Sequence, residues 1–86
     1  MDKNVNIKVL NTVNKQGMLP ILFGELVSAD ALTNTEQCKK SLEILSDFKE
    51  ALPETEIEDK DTWMKFIDDG LEIVKRDLEN FERKLD

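Results

Sequence analysis

Residues 64–85 read MKFIDDGLEIVKRDLENFERKL, and the fold follows from how that stretch is read. Met64, Ile67, Leu71, Val74, Leu78, Phe81 and Leu85 recur at alternating steps of three and four without a slip. That spacing places all seven on one side of an α-helix, and a helix with such a stripe must bury it. Trp63, Phe66 and Ile73 flank the stripe, so the first half of the helix has a broad apolar face and the last half a narrow seam. A broad face sits inside a domain, whereas a narrow seam suits pairing with one further helix, from this chain or a second copy. Asp61 or Thr62 is the expected N-cap. The pairs Asp61–Lys65, Glu72–Arg76 and Glu79–Arg83 stand acid-before-base at the i,i+4 spacing that supports a helix.

Upstream, Thr33-Asn34-Thr35-Glu36 matches a capping box, with the Thr33 hydroxyl toward the amide three residues on and Glu36 reaching back. The helix it opens runs from about Asn34 to Leu52, with Cys38, Leu42, Leu45, Phe48 and Leu52 as its apolar face, widened by Ile44 and Ala51. Pro53 stops it by disfavouring α geometry at the residue before. Pro53 to Lys60 is then a polar connection, long enough for the last helix to fold back antiparallel.

Met18 to Leu32 reads as a short buried helix. Pro20 suits its first turn, Gly24 weakens it by about 1 kcal/mol relative to Ala, and Ser28-Ala29-Asp30 lies near its end. Asp2 to Gln16 is ambiguous. Val5, Ile7 and Val9 alternate with polar residues as in a strand, while Val5, Val9, Leu10 and Val13 fit one helical face. The helix, ended by Gly17 as C′ residue, is the chosen reading. The expected architecture is an all-α antiparallel bundle of three to four helices in one domain, residues 1–86. The alternative is α+β with an N-terminal strand or hairpin.

Composition narrows the chemistry. The chain has no His, which removes the usual neutral-pH base and the commonest metal ligand. Its single cysteine, Cys38, cannot form an internal disulfide, suits a reducing compartment, and falls on an apolar face as a small core residue. Neither a signal peptide nor an apolar run long enough to span a bilayer is visible, so a cytoplasmic location is expected. Glu54, Glu56 and Glu58 have the first three spacings of an EF-hand loop, but Asp59 stands where Gly is needed and Lys65 where the bidentate Glu is needed. No metal site, cofactor site or catalytic set is expected, and the protein reads as a non-enzyme.

Charge is unevenly placed. Residues 1–42 hold five Lys and four acids, net +1; residues 43–86 hold seven bases and fifteen acids, net −8. An acidic half disfavours direct nucleic-acid binding and anionic membranes. It is either a solvated surface or a face that meets a basic partner. Lys outnumbers Arg ten to two, with abundant Asn and Ile, a composition typical of AT-rich bacterial or phage genomes. The expected function is therefore a small acidic interaction protein, an adaptor or inhibitor of a larger enzyme or complex, phage or mobile-element encoded. Its expected contact residues are Trp63, Phe66, Phe81, Leu85, Glu54, Glu56, Glu58, Asp59 and Asp61. Two alternatives stand beside it. In one, the acids of residues 54–61 with Asp68, Asp69, Glu72 and Glu79 mimic nucleic-acid phosphates for a DNA-binding protein. In the other, the chain is a structural homodimer or oligomer subunit joined through Leu78, Phe81 and Leu85 or an N-terminal strand.

Overall fold

A computed structural model of the chain describes residues 2–28 and 32–85, the side chain of Leu85 excepted. Four α-helices follow one another: α1 (Lys3–Lys15), α2 (Leu19–Val27), α3 (Thr35–Ala51) and α4 (Lys60–Leu85). A single 3-10 turn, Leu52–Glu54, sits between α3 and α4. No strand occurs among the described residues, so the bundle reading holds and the N-terminal strand does not form. The Val-Asn-Ile alternation of residues 5–7 loses to helix because no second strand is present to satisfy its backbone.

Local signals set the helix ends. The Asp2 carboxylate accepts from the Asn4 N–H at 3.1 Å and opens α1. Gly17 closes it at φ +69°, with Met18 N–H donating to Val13 O and Gly17 N–H to Asn14 O, both at 3.0 Å. This is a Schellman cap, and the left-handed residue at its centre favours Gly. The cap of α3 is Asn34 and not Thr33: its side-chain oxygen accepts from the Gln37 N–H at 3.0 Å. Asn caps at least as well as Thr, and one residue of slip moves the capped amide from Glu36 to Gln37. Pro53 does not push Leu52 out of α geometry, since Leu52 keeps φ −52° and ψ −44°. The chain tightens into the 3-10 turn and turns extended only at Thr55. The last helix starts before Asp61 and Thr62, with the Asp59 carbonyl accepting from Trp63 N–H at 3.2 Å.

The second helix is shorter than its sequence suggests. It ends at Val27, with Ser28 extended; Ala29 and Asp30 lie outside the described residues. Continued as a helix, Leu32 would stand three turns on from Ile21, the most exposed apolar residue of α2. Breaking off after Val27 lets Leu32 reach the core, where it is 3% exposed.

The core is one contiguous cluster. Leu10, Leu19, Phe23, Leu32, Cys38, Leu45, Phe48, Ala51, Leu52, Ile57, Ile67 and Val74 are buried. Helices α3 and α4 form the main interface, and α1 and α2 close over it. The stripe of α4 is covered by the chain itself: Ile67 and Val74 are fully buried, and Met64, Leu71, Leu78 and Phe81 pack half-buried against the cluster. As far as Phe81, the narrow seam is thus covered from within. Gly70 permits the closest approach, because a Cβ there would stand 3.0 Å from Val27 Cγ1 and 3.7 Å from Leu45 Cδ1.

On α1 the buried side differs from the one that apolar spacing suggests. Val5 and Val9 face solvent at 46% and 36% exposure, while Leu10 and Asn6 are inside. Asn6 is 1% exposed and its Oδ1 has no hydrogen-bond partner. The tethers of α1 explain its rotation: Lys3 pairs with Glu54, and the Asn11 side chain accepts the Glu56 N–H at 2.8 Å. These bonds hold the side of α1 bearing Asn11 against the loop and turn Val5 and Val9 outward.

Candidate interaction surface

Phe23 organises the site. Its ring is fully buried and meets Phe48 edge-on at 6.1 Å, Trp63 at 5.6 Å and Phe66 at 5.9 Å. Trp63 and Phe66 also touch, with centroids 5.9 Å apart. The cluster therefore runs from the core to the surface, where Trp63 is half-buried and Phe66 is 39% exposed. Aromatic pairs in such tilted contact fix each other's rings, so Phe66 is presented on a rigid support.

The loop before α4 lies against this cluster. It is not a freely solvated connection, because Ile57 and Thr55 are buried. Thr55 Oγ1 donates to Leu52 O at 2.7 Å and accepts from Ile57 N–H at 3.4 Å. Lys60 Nζ donates to Pro53 O at 3.1 Å, and the Asn11 bond secures the loop to α1. The lone apolar residue in an acidic stretch, Ile57, was the signal in the sequence that this loop is anchored.

Anchoring shapes a cleft of about 260 Å³ lined by Asn14, Glu56, Ile57, Glu58, Asp59 and Trp63. Its exposed lining is mostly polar, and three of its six residues carry a carboxylate. Glu56, Glu58, Asp59 and Asp61 are exposed, and none of them forms an ion pair among the described residues. Glu54 stands apart, 2.5 Å from Lys3, a contact that raises the Lys3 pKa by hydrogen bond and charge.

The expected contact residues therefore divide. Trp63, Phe66, Glu56, Glu58 and Asp59 come together, and Asp61 follows in the first turn of α4. Phe81 does not join them. It lies about 22 Å further along the helix, beside Leu32, with Lys84 Nζ 5.9 Å from its ring centroid. The Leu85 side chain lies outside the described residues. Ile73, read from spacing only as a flank of the seam, is 36% exposed and extends the apolar edge of α4 two turns beyond Phe66. Comparison with protein-family models, with curated proteins and with solved structures gives no match.

Other groups are structural in their surroundings. Cys38 is fully buried, and burial, followed by the charge of Asp77, raises its thiol pKa above the ordinary value. Asp68, one of the acids read as a phosphate mimic, meets Lys49 at 2.6 Å and ties α4 to α3. The remaining ion pair among the described residues is Glu36–Lys40 within α3, so the three i,i+4 pairs read on α4 are not the ones that close. The described residues contain no group of His, Cys, Asp or Glu placed to hold a metal ion. No helix is long and apolar enough to cross a membrane.

Proposed function

We propose that this chain is a non-enzymatic interaction protein, an adaptor or inhibitor of a larger enzyme or complex. The observation that carries the reading is the surfacing of a rigid aromatic cluster, through Trp63 and Phe66, beside a cleft whose carboxylates form no ion pair among the described residues. Partly buried aromatics backed by packed neighbours are the residues that dominate protein–protein affinity, and a charged rim sets which partner approaches. The Lys-, Asn- and Ile-rich composition supports a phage or mobile-element origin. The nearness of the chain's acids to one another also suits a phosphate-mimicking inhibitor, but the apolar centre of the surface favours a protein groove over a purely ionic contact.

The test is site-directed cross-linking in the native host. A photoreactive residue placed at Phe66 is expected to trap a protein partner, with one at Ile44 on α3 as the comparison position. Purified with that partner, the chain is expected to form a stable complex. A protein that sediments alone and cross-links to nothing above background from either position would sink the interaction role.

A further inference from the structure

We infer that the edge of α4 bearing Trp63, Phe66 and Ile73 docks a basic amphipathic helix of a partner protein, with one Arg or Lys of that helix entering the cleft between Trp63 and the carboxylates of Glu56, Glu58 and Asp59. This deepens the interaction role proposed above and rests on it.

The apolar part of the edge has a definite spacing. Phe66 and Ile73 are 39% and 36% exposed and stand seven residues apart. On a helix that is two turns, about 10.5 Å, and it brings both to the same side. A partner helix with two apolar residues two turns apart matches that separation, the usual geometry when an amphipathic helix lies along a groove. Trp63 joins this edge to the cleft, since its ring touches Phe66 at 5.9 Å and the residue also belongs to the cleft lining.

Charge selects the occupant. The cleft is lined by Glu56, Glu58 and Asp59, none of which forms an ion pair among the described residues, with Trp63 at its wall. An Arg or Lys side chain is the group that satisfies them, by charge-assisted hydrogen bonds to the carboxylates. Nucleic-acid backbones and anionic membranes carry the wrong sign for this rim. A second copy of the chain is disfavoured as well, because each copy carries a net charge of −7. The basic helix of a different protein remains, and it is the occupant to which the acidic cleft is complementary; Ile73 stands among Glu72, Glu79, Lys75 and Arg76, so the charge selection acts at the cleft end.

Trp63 is the only tryptophan in the chain, so the surface reports on itself. The probe is a synthetic helical peptide with two Leu seven positions apart and Arg on its remaining face, compared with the same peptide carrying Glu for Arg. The Arg peptide is expected to shift Trp63 fluorescence and to move amide resonances of residues 56–66 and Ile73. Its affinity should fall about tenfold or more between about 50 and about 300 mM salt. The triple variant Glu56→Gln, Glu58→Gln, Asp59→Asn should keep the wild-type melting temperature, since all three groups are exposed, and should bind about tenfold more weakly. Failure of the Arg peptide to bind, equal binding by the Glu peptide, or resonance shifts spread to Glu43 and Asp47 on α3 would each overturn the proposal. The two levels separate cleanly. A native partner trapped only from Ile44 preserves the interaction role and removes this surface, whereas peptide binding at Trp63 with no native partner supports the surface and removes the role.

Discussion

Replacing Asn6 by Leu should stabilise this protein, although Asn6 sits in its interior. The side chain is 1% exposed and its Oδ1 has no partner. A buried acceptor left without a hydrogen bond costs about 1–3 kcal/mol relative to one that remains solvated. Leu removes that cost at similar volume and adds a few tenths of a kcal/mol of helix propensity over Asn. Against this stands the different branching at Cγ, which in a packed site strains neighbours by about 1 kcal/mol. The balance is a gain of roughly 1–2 kcal/mol, or about 4–16 °C in melting temperature for a chain of this length. Urea unfolding followed by Trp63 fluorescence and by far-ultraviolet circular dichroism would measure it, with coincident transitions required. Asn6→Asp is the companion variant. Burial would raise its carboxyl pKa, so its stability should be highest in acid and fall as pH rises. If Asn6→Leu is no more stable than the parent while keeping its helicity, the amide oxygen is satisfied in solution, by a bound water for example, and the argument fails.

Further outcomes follow from other sites. Gly24→Ala meets nothing within 4 Å and should stabilise α2 by about 0.5–1 kcal/mol, whereas Gly70→Ala must move Val27 and should be the less stable of the two alanine variants in the same urea assay. Ile67→Ala, at a fully buried position of the α3–α4 interface, should cost about 2–4 kcal/mol; a loss below about 1 kcal/mol would mean that the α4 stripe is not packed as described. Because the folded Cys38 thiol has a raised pKa, its contribution is fully present below the unfolded cysteine pKa and is lost as pH rises through the folded value. Stability should therefore decline in alkali, and Cys38→Ala should flatten that decline in a pH series of urea midpoints. The buried thiol should react with a disulfide reagent only as fast as the protein opens, so immediate labelling of the native protein would contradict its placement.

Much of the fold was legible because some residues specify their conformation locally. Gly17 favours a left-handed cap, and the three–four spacing from Met64 onward leaves little choice but a long helix with one buried side. The cap of α3 was legible to within a residue, since both Thr33 and Asn34 are competent and only the realised register separates them. The candidate site was legible in part. Trp63, Phe66 and the acids near residue 58 were marked by type, but Phe81 and Glu54 were grouped with them only because sequence nearness or shared character stood in for position. Ile73 was hidden for the same reason: its spacing marks it as a flank of the stripe, and only its neighbours decide whether a flank is covered.

The sequence by itself determined the helix over residues 34–52, the long last helix and that its stripe must be buried, because propensity, capping and periodicity act over a few residues, while the choice of helix over strand at residues 3–15 and the end of α2 at Val27 came from the tertiary structure. Only the tertiary structure decided which side of α1 turns inward, which acids are paired, and where an aromatic ring reaches the surface. Those outcomes depend on contacts between distant segments, such as Asn11 with the Glu56 amide across 45 residues, Lys49 with Asp68, and Phe23 with Trp63 and Phe66. A helix read alone offers several faces of nearly equal merit, and the neighbours that pack against it choose among them.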